Sequence, residues 1–183
     1  MTATHLPDRL EVRAAALEIR AAAGRRLQGY AATFGTVAKI GPVSETIIPG
    51  AFRSSLLDPA RDILALADHD ASRVLGRTRA NTLRLTETAR GLHFELDVPE
   101  TTTGNDILEL VRSGNAGGMS FGFRAVDERW PSRERRELVK VELFEVSVVS
   151  AWPAYEGTEV HARSRSPLPP RLTLARRWLE TVR

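Results

Sequence analysis

A hydroxyl, an imidazole and a carboxylate in one chain can share a proton, and three stretches supply them. The first is "GGMSFGF" at 117–123, where two glycines and a methionine lead into Ser120. A serine becomes a nucleophile only when a base removes its proton and a third group orients the base. Read as a strand, the stretch puts Met119, Phe121, Phe123 and Ala125 on one face and Ser120, Gly122, Arg124 and Val126 on the other. Ser120 then lies on the less bulky face, with Gly122 two residues along leaving room for a substrate backbone. Gly117 and Gly118 make the preceding loop permissive enough to turn N–H groups toward an oxyanion. The alternative is a glycine-rich turn entering a strand. The stretch is not the G-x-S-x-G elbow of the α/β-hydrolases, because no strand–turn–helix context surrounds it.

The base has four candidates. His5 lies near the start, His161 near the final segment, and His93 on the polar face of an alternating strand. His69 ends the apolar run "DILALAD" and opens the loop "HDASR". A side chain at the end of a buried strand is held in a defined direction. The acid comes from "VKVELFEVSVV". Strict alternation puts Val139, Val141 and Leu143 on one face with Glu145 and Ser147, and Lys140 and Glu142 on the other. A carboxylate on an apolar face needs a partner. Either a histidine N–H or one of the many arginines suits Glu145. Metal chemistry has only "DHD" at 68–70 to stand on, which is weak. Zero cysteines exclude disulfides, thiolate catalysis and zinc–thiolate sites. No cofactor is expected.

These residues need strands to carry them, and the chain supplies strand patterns. "DILALA", "RVLGRTR", "TLRLTET" and "LHFELDV" follow one another with turn residues between, which points to an antiparallel sheet or barrel. "RRLQGYAATFG" and "SETIIPGAF" precede them, with Gly29 read as a bulge or close approach, and "RELVKVELFEVSVVSAW" follows. "EVRAAALEIRAA" suits helix by alanine content and strand by alternation. "AFRSSLLDP" reads as a short helix. "TTTGNDILELVRSGN" reads as a longer one, capped by Asn105 or Asp106 and stopped at Gly114. The expected organisation is a leader at 1–9, one domain at 10–162, and a proline-rich linker with a basic amphipathic tail at 163–183. A chain of 183 residues suffices for one core with short tails. No signal peptide or membrane-length apolar run is legible, so a cytoplasmic setting is expected. Formal net charge is only +3, arginines alternate with acids, and aromatics are few, so nucleic acid is not the expected partner.

In order along the chain, "SETIIPGAF", "LADHD…VLG", "GLHFELDV", "GGMSFGF" and "ELFEVSVVSAWPA" resemble the tailed-phage prohead proteases, the capsid maturation proteases. The resemblance spans roughly Leu17 to Val160. It implies a fold like herpesvirus assemblin: α+β, β-rich, a mostly antiparallel barrel flanked by a few helices. Carried over by motif, the histidine of "HD" is His69, the serine of "S-x-G-F" is Ser120, and the acid of "E-V-S" is Glu145. Related viral proteases use a second histidine in the third role. Ala67 is smaller than the residue usual before "HD".

The resemblance implies a serine endopeptidase that cleaves scaffold or major capsid protein, and itself, inside the procapsid in the host cytoplasm. No membrane partner is expected, and homo-oligomerisation stays open. The rivals are a non-catalytic β-barrel capsid or tail assembly protein, and a DNA-associated capsid protein acting through the basic tail.

Overall fold

A computed structural model describes residues 10–15, 19–22, 24–116 and 118–150. Its eleven strands form two sheets, and one hairpin dominates the larger. That hairpin is β10 (Gly118–Ser132) and β11 (Arg135–Val149), fifteen residues each. β1 (Glu11–Ala15) lies antiparallel along the first half of β10, with Ala14 opposite Ser120. On the other side, β11 has two parallel neighbours in succession. β5 (Val43–Ile47) pairs with Arg135–Leu138, and β6 (Leu64–Ala67) pairs with Glu145–Val148. β4 (Val37–Ile40) extends the β5 side and β7 (Asp70–Arg77) the β6 side. The second sheet is antiparallel, in the order β2 (Ile19–Ala22), β3 (Arg26–Thr33), β9 (Gly91–Asp97), β8 (Leu83–Glu87).

The apolar faces of both sheets enclose one core. Leu92, Phe94 and Leu96 of β9 point inward, as the alternation in "LHFELDV" predicts. From the hairpin come Met119, Phe121, Phe123, Ala125, Val141, Leu143, Val146 and Val148. Phe52 packs edge-on to Phe121, which stacks on Phe123. The fold is β-rich with two helices, as expected, but the described strands close no barrel; they remain two sheets.

Two local expectations change and one open choice closes. Of the two readings of "EVRAAALEIRAA", its ends take the strand, as β1 and β2, because each pairs with a long strand whose ladder outweighs alanine's helix propensity. Gly29 pairs regularly with Phe94, and the irregularity in β3 falls between Tyr30 and Ala32. Helix α2 (Thr102–Arg112) is capped by Thr101, whose hydroxyl accepts the Gly104 N–H at 3.1 Å. Asn105 is already inside the helix and binds Arg25 instead. Gly114 ends it at φ 73°, the left-handed position glycine favours. Helix α1 (Arg53–Leu57) matches "AFRSSLLDP". The leader and the tail from 151 onward, with His5 and His161, lie outside the described residues. Among the described residues no helix is long and apolar enough to cross a membrane.

Candidate functional site

One sheet face gathers the candidate residues. Across β10 and β11, Ser120 stands opposite Ser147, and Gly122 opposite Glu145. Directly opposed residues in an antiparallel pair share a face, with Cα atoms about 4.5–5.5 Å apart. Ser120 is therefore one rung from Glu145. Phe121 and Val146 point the other way, into the core.

The register reaches Glu145 by a route that alternation alone misses. Leu143 pairs with Phe123, and Glu145 with Gly122, so Phe144 is an extra residue in β11. This bulge resets the parity. Leu143 and Val141 face the core, whereas Glu145 and Ser147 face away from it. The expectation that Glu145 shares a face with Val141 and Leu143 is thus corrected. The bulge also brings Glu142, opposite Arg124, onto the same face as Glu145. Glu142 is not a plain surface acid: it is held between Arg61 and Arg124. Burial pushes its carboxyl up, but the two guanidiniums outweigh that and hold it below the usual range.

His69 arrives from β6. Ala67 and Asp70 pair across a two-residue turn whose central residues, Asp68 and His69, have φ of 53° and 60°. Two consecutive positive φ values mark the tight hairpin turn that matches strand twist. Neither residue is glycine, so the surroundings must hold the turn. Asp68 does so by accepting the Ser150 N–H at 2.7 Å and its hydroxyl at 2.9 Å, and by pairing with Arg73. Burial raises the Asp68 carboxyl, yet those Ser150 bonds and Arg73 hold it below the usual range. His69 donates its main-chain N–H to Ser147 Oγ at 3.3 Å.

The ring of His69 meets Glu145, Nδ1 to Oε1, at 2.8 Å. A carboxylate only accepts, so Nδ1 carries the hydrogen, and in a neutral imidazole Nε2 then keeps its lone pair. Oε2 of Glu145 accepts the Ser147 hydroxyl at 2.5 Å. Of the two partners open to Glu145, the structure shows the histidine. Gly122 makes the arrangement possible: a Cβ there would lie 2.3 Å from Oε1. The space that glycine leaves is filled by the Glu145 carboxylate and not by a substrate backbone.

Ser120 is fully buried, and its hydroxyl donates to the Arg13 carbonyl of β1 at 2.8 Å. No hydrogen bond joins Ser120 to His69. The structure therefore brings His69 and Glu145 into contact and sets Ser120 beside them with its hydroxyl turned to β1. Gly118 has φ 150° and Gly117 lies outside the described residues. His93 packs edge-on to Tyr30, away from this face. Among the described residues no acid–histidine grouping could hold a metal ion, "DHD" included. Sequence reasoning placed Ser147 on the Glu145 face, two residues along in "EVS", but gave it no role.

Fold and site together define a β-rich domain carrying a histidine–carboxylate pair beside a serine, the set of groups used for acyl transfer. The chain belongs to the caudovirus prohead serine proteases, whose family profile matches residues 9–168. That family gives it a protease role in capsid maturation. Neither a curated protein nor a solved structure matches the chain with significance.

Proposed function

We propose that this chain is a serine endopeptidase in which Ser120 attacks the scissile carbonyl, His69 carries the proton and Glu145 orients His69. Its substrates are extended segments of major capsid or scaffold protein, with its own chain as a further one, cut inside the procapsid in the host cytoplasm. The observation that carries the reading is the 2.8 Å His69–Glu145 bond, made over Gly122 one rung from Ser120. With Nδ1–H committed to Glu145, Nε2 is the free base. The Ser120 proton moves to Nε2 as Oγ bonds to the carbonyl carbon. Nε2 then returns it to the leaving amine, and the acyl-enzyme is hydrolysed by water along the same path. The Ser120 hydroxyl must first leave the Arg13 carbonyl and become accessible.

Co-expression with a major capsid protein from the same source, wild type against Ser120→Ala, tests this by intact mass. The reading predicts shortened capsid protein with the wild type alone. Equal processing by a folded Ser120→Ala protein would sink it.

A second reading, a non-catalytic assembly protein, draws on the buried Ser120 with its hydroxyl tied to β1. A fluorophosphonate probe separates the two: the endopeptidase takes up one label at Ser120, and the assembly protein takes up none.

A further inference from the structure

We propose that Ser147 is a positioning residue that locks Glu145 and His69 together and so supports the set of Ser120, His69 and Glu145. The proposal rests on the endopeptidase reading and adds a residue to that site. Ser147 is fully buried, and its one hydroxyl makes two bonds. It donates to Glu145 Oε2 at 2.5 Å and accepts the His69 main-chain N–H at 3.3 Å. It therefore ties the acid to the backbone of the residue that the acid must orient.

Two freedoms would otherwise blur the site. A carboxylate held through one oxygen rotates about its terminal torsion, where the energy wells are broad. Glu145 is held through both: Oε1 on His69 and Oε2 on Ser147. The second freedom is the His69 backbone, at φ 60° in a sparsely populated region that persists only where neighbours hold it. Asp68 fastens one side of that turn to Ser150. Ser147 fastens the other side to β11. Without its hydroxyl, the buried Oε2 and the part-buried His69 N–H both lose their partner.

A buried serine of helix α1, bonded to the β11 backbone, provides a matched control. Ser55 donates to the Val141 carbonyl and accepts the Leu143 N–H, each at 2.9 Å, and touches no proposed catalytic group. Removing either hydroxyl breaks two hydrogen bonds, but only Ser147 touches the acid and the base.

The experiment compares Ser147→Ala with Ser55→Ala in the full chain. It measures kcat and KM on peptides tiled from the co-expressed capsid protein, the melting temperature, and the low-field proton resonance of His69 Nδ1–H. For Ser147→Ala we expect kcat to fall about 10- to 100-fold with KM little changed, the cost of a small misplacement of catalytic groups. The Nδ1–H resonance should move upfield or be lost to exchange. Ser55→Ala should melt earlier while keeping kcat and the resonance. A Ser147→Ala protein with wild-type kcat and resonance overturns the proposal, and so does an equal loss of kcat in Ser55→Ala. If Ser147→Ala does not fold, Ser147→Cys keeps the volume with only a weak donor and is judged by the same two readouts. Failure of the endopeptidase reading looks different. The wild type would then take up no fluorophosphonate and cut no peptide, while the His69 resonance would still report whether Ser147 holds the pair.

Discussion

The β10–β11 hairpin buries two polar clusters, one near each end, and they neutralise their acids differently. Toward the turn, Glu45 is only 2% exposed and accepts from Arg13 at 2.6 and 2.8 Å and from Arg136 at 2.9 Å. Glu11 pairs with the same two arginines, and Glu128 with Arg136. Every carboxylate there faces a guanidinium, which never gives up its proton in a protein. At the other end Glu145 is 8% exposed and meets an imidazole and a hydroxyl instead. A histidine is the side chain whose charge changes near neutral pH. The first cluster joins β1 and β5, the strands that flank the hairpin on either side. The second holds the histidine and the acid that the proposed mechanism uses to move a proton. Equal burial therefore says little about role; the partner's chemistry says more.

The sharpest way to break the comparison is to disable each cluster and ask what fails. Ser120→Ala and His69→Ala should each lower peptide hydrolysis by about 10⁴-fold or more, since members of one proton-transfer unit are lost together. Both should melt close to the wild type. Glu145→Gln should follow at about 10³- to 10⁴-fold, its amide favouring the wrong imidazole tautomer. Substantial turnover by any of the three in a folded protein would show that the second cluster is structural after all.

The first cluster should fail the opposite way. Arg136→Met leaves Glu11 and Glu45 with Arg13 alone and takes the ion pair from Glu128, and breaking a buried pair on one side costs about 3–5 kcal/mol. Denaturant unfolding should show that loss. Fluorophosphonate uptake per folded molecule, measured below the new midpoint, should stay at the wild-type rate. A folded Arg136→Met protein that labels tenfold more slowly would join the clusters functionally and end the contrast.

Gly122→Ala probes the boundary between packing and chemistry. Its Cβ would fall 2.3 Å from Glu145 Oε1, so the carboxylate must move or the strands must part. Overpacking of this kind costs about 1–3 kcal/mol. If the carboxylate is what moves, the His69 Nδ1–H resonance shifts and kcat falls by about 10²-fold. Unchanged kcat would mean the strands absorb the methyl group and that Glu145 needs no such space.

How much of this could be read from the sequence depends on where the strands are regular. From Gly118 to Ala125, β10 alternates without interruption, so the split between Phe121–Phe123 and Ser120–Gly122 was legible. β11 looks equally regular on paper, yet the extra residue at Phe144 turns Leu143 and Glu145 to opposite faces. A bulge is a fact about the partner strand, and one sequence does not display it. The pairing of His69 with Glu145 was one of two open choices, and parity could not decide it. The arginine–glutamate cluster was missed because its charges read as solvated surface. Glu45 shares parity with Val43 and Ile47, which was the available sign, but its partners come from β1 and β11, 32 and 91 residues away.

The smallest effect expected concerns Glu11, and it sharpens the contrast through pH. Burial alone would raise the Glu11 carboxyl. The hydrogen bond from Arg136 and the nearby charge of Arg13 outweigh that and hold it below its ordinary 4.5. The folded state therefore binds this proton less readily than the unfolded chain does. Above about pH 4.5 the group is ionised in both states and its stabilising contribution is fully present. As pH falls from 4.5 through the lower folded value, the unfolded chain takes up the proton first and the contribution is lost. Other acids held low, such as Asp68 and Glu142, steepen the same acid limb, so the wild-type curve alone cannot isolate Glu11. The difference between wild type and Glu11→Gln can. That difference should be constant from pH 7 to about pH 5 and should shrink below pH 4.5. Fluorophosphonate uptake at neutral pH should match in the two proteins. A stability difference that grows on acidification would mean that Glu11 is raised, not lowered, and that the arginines do not control this cluster.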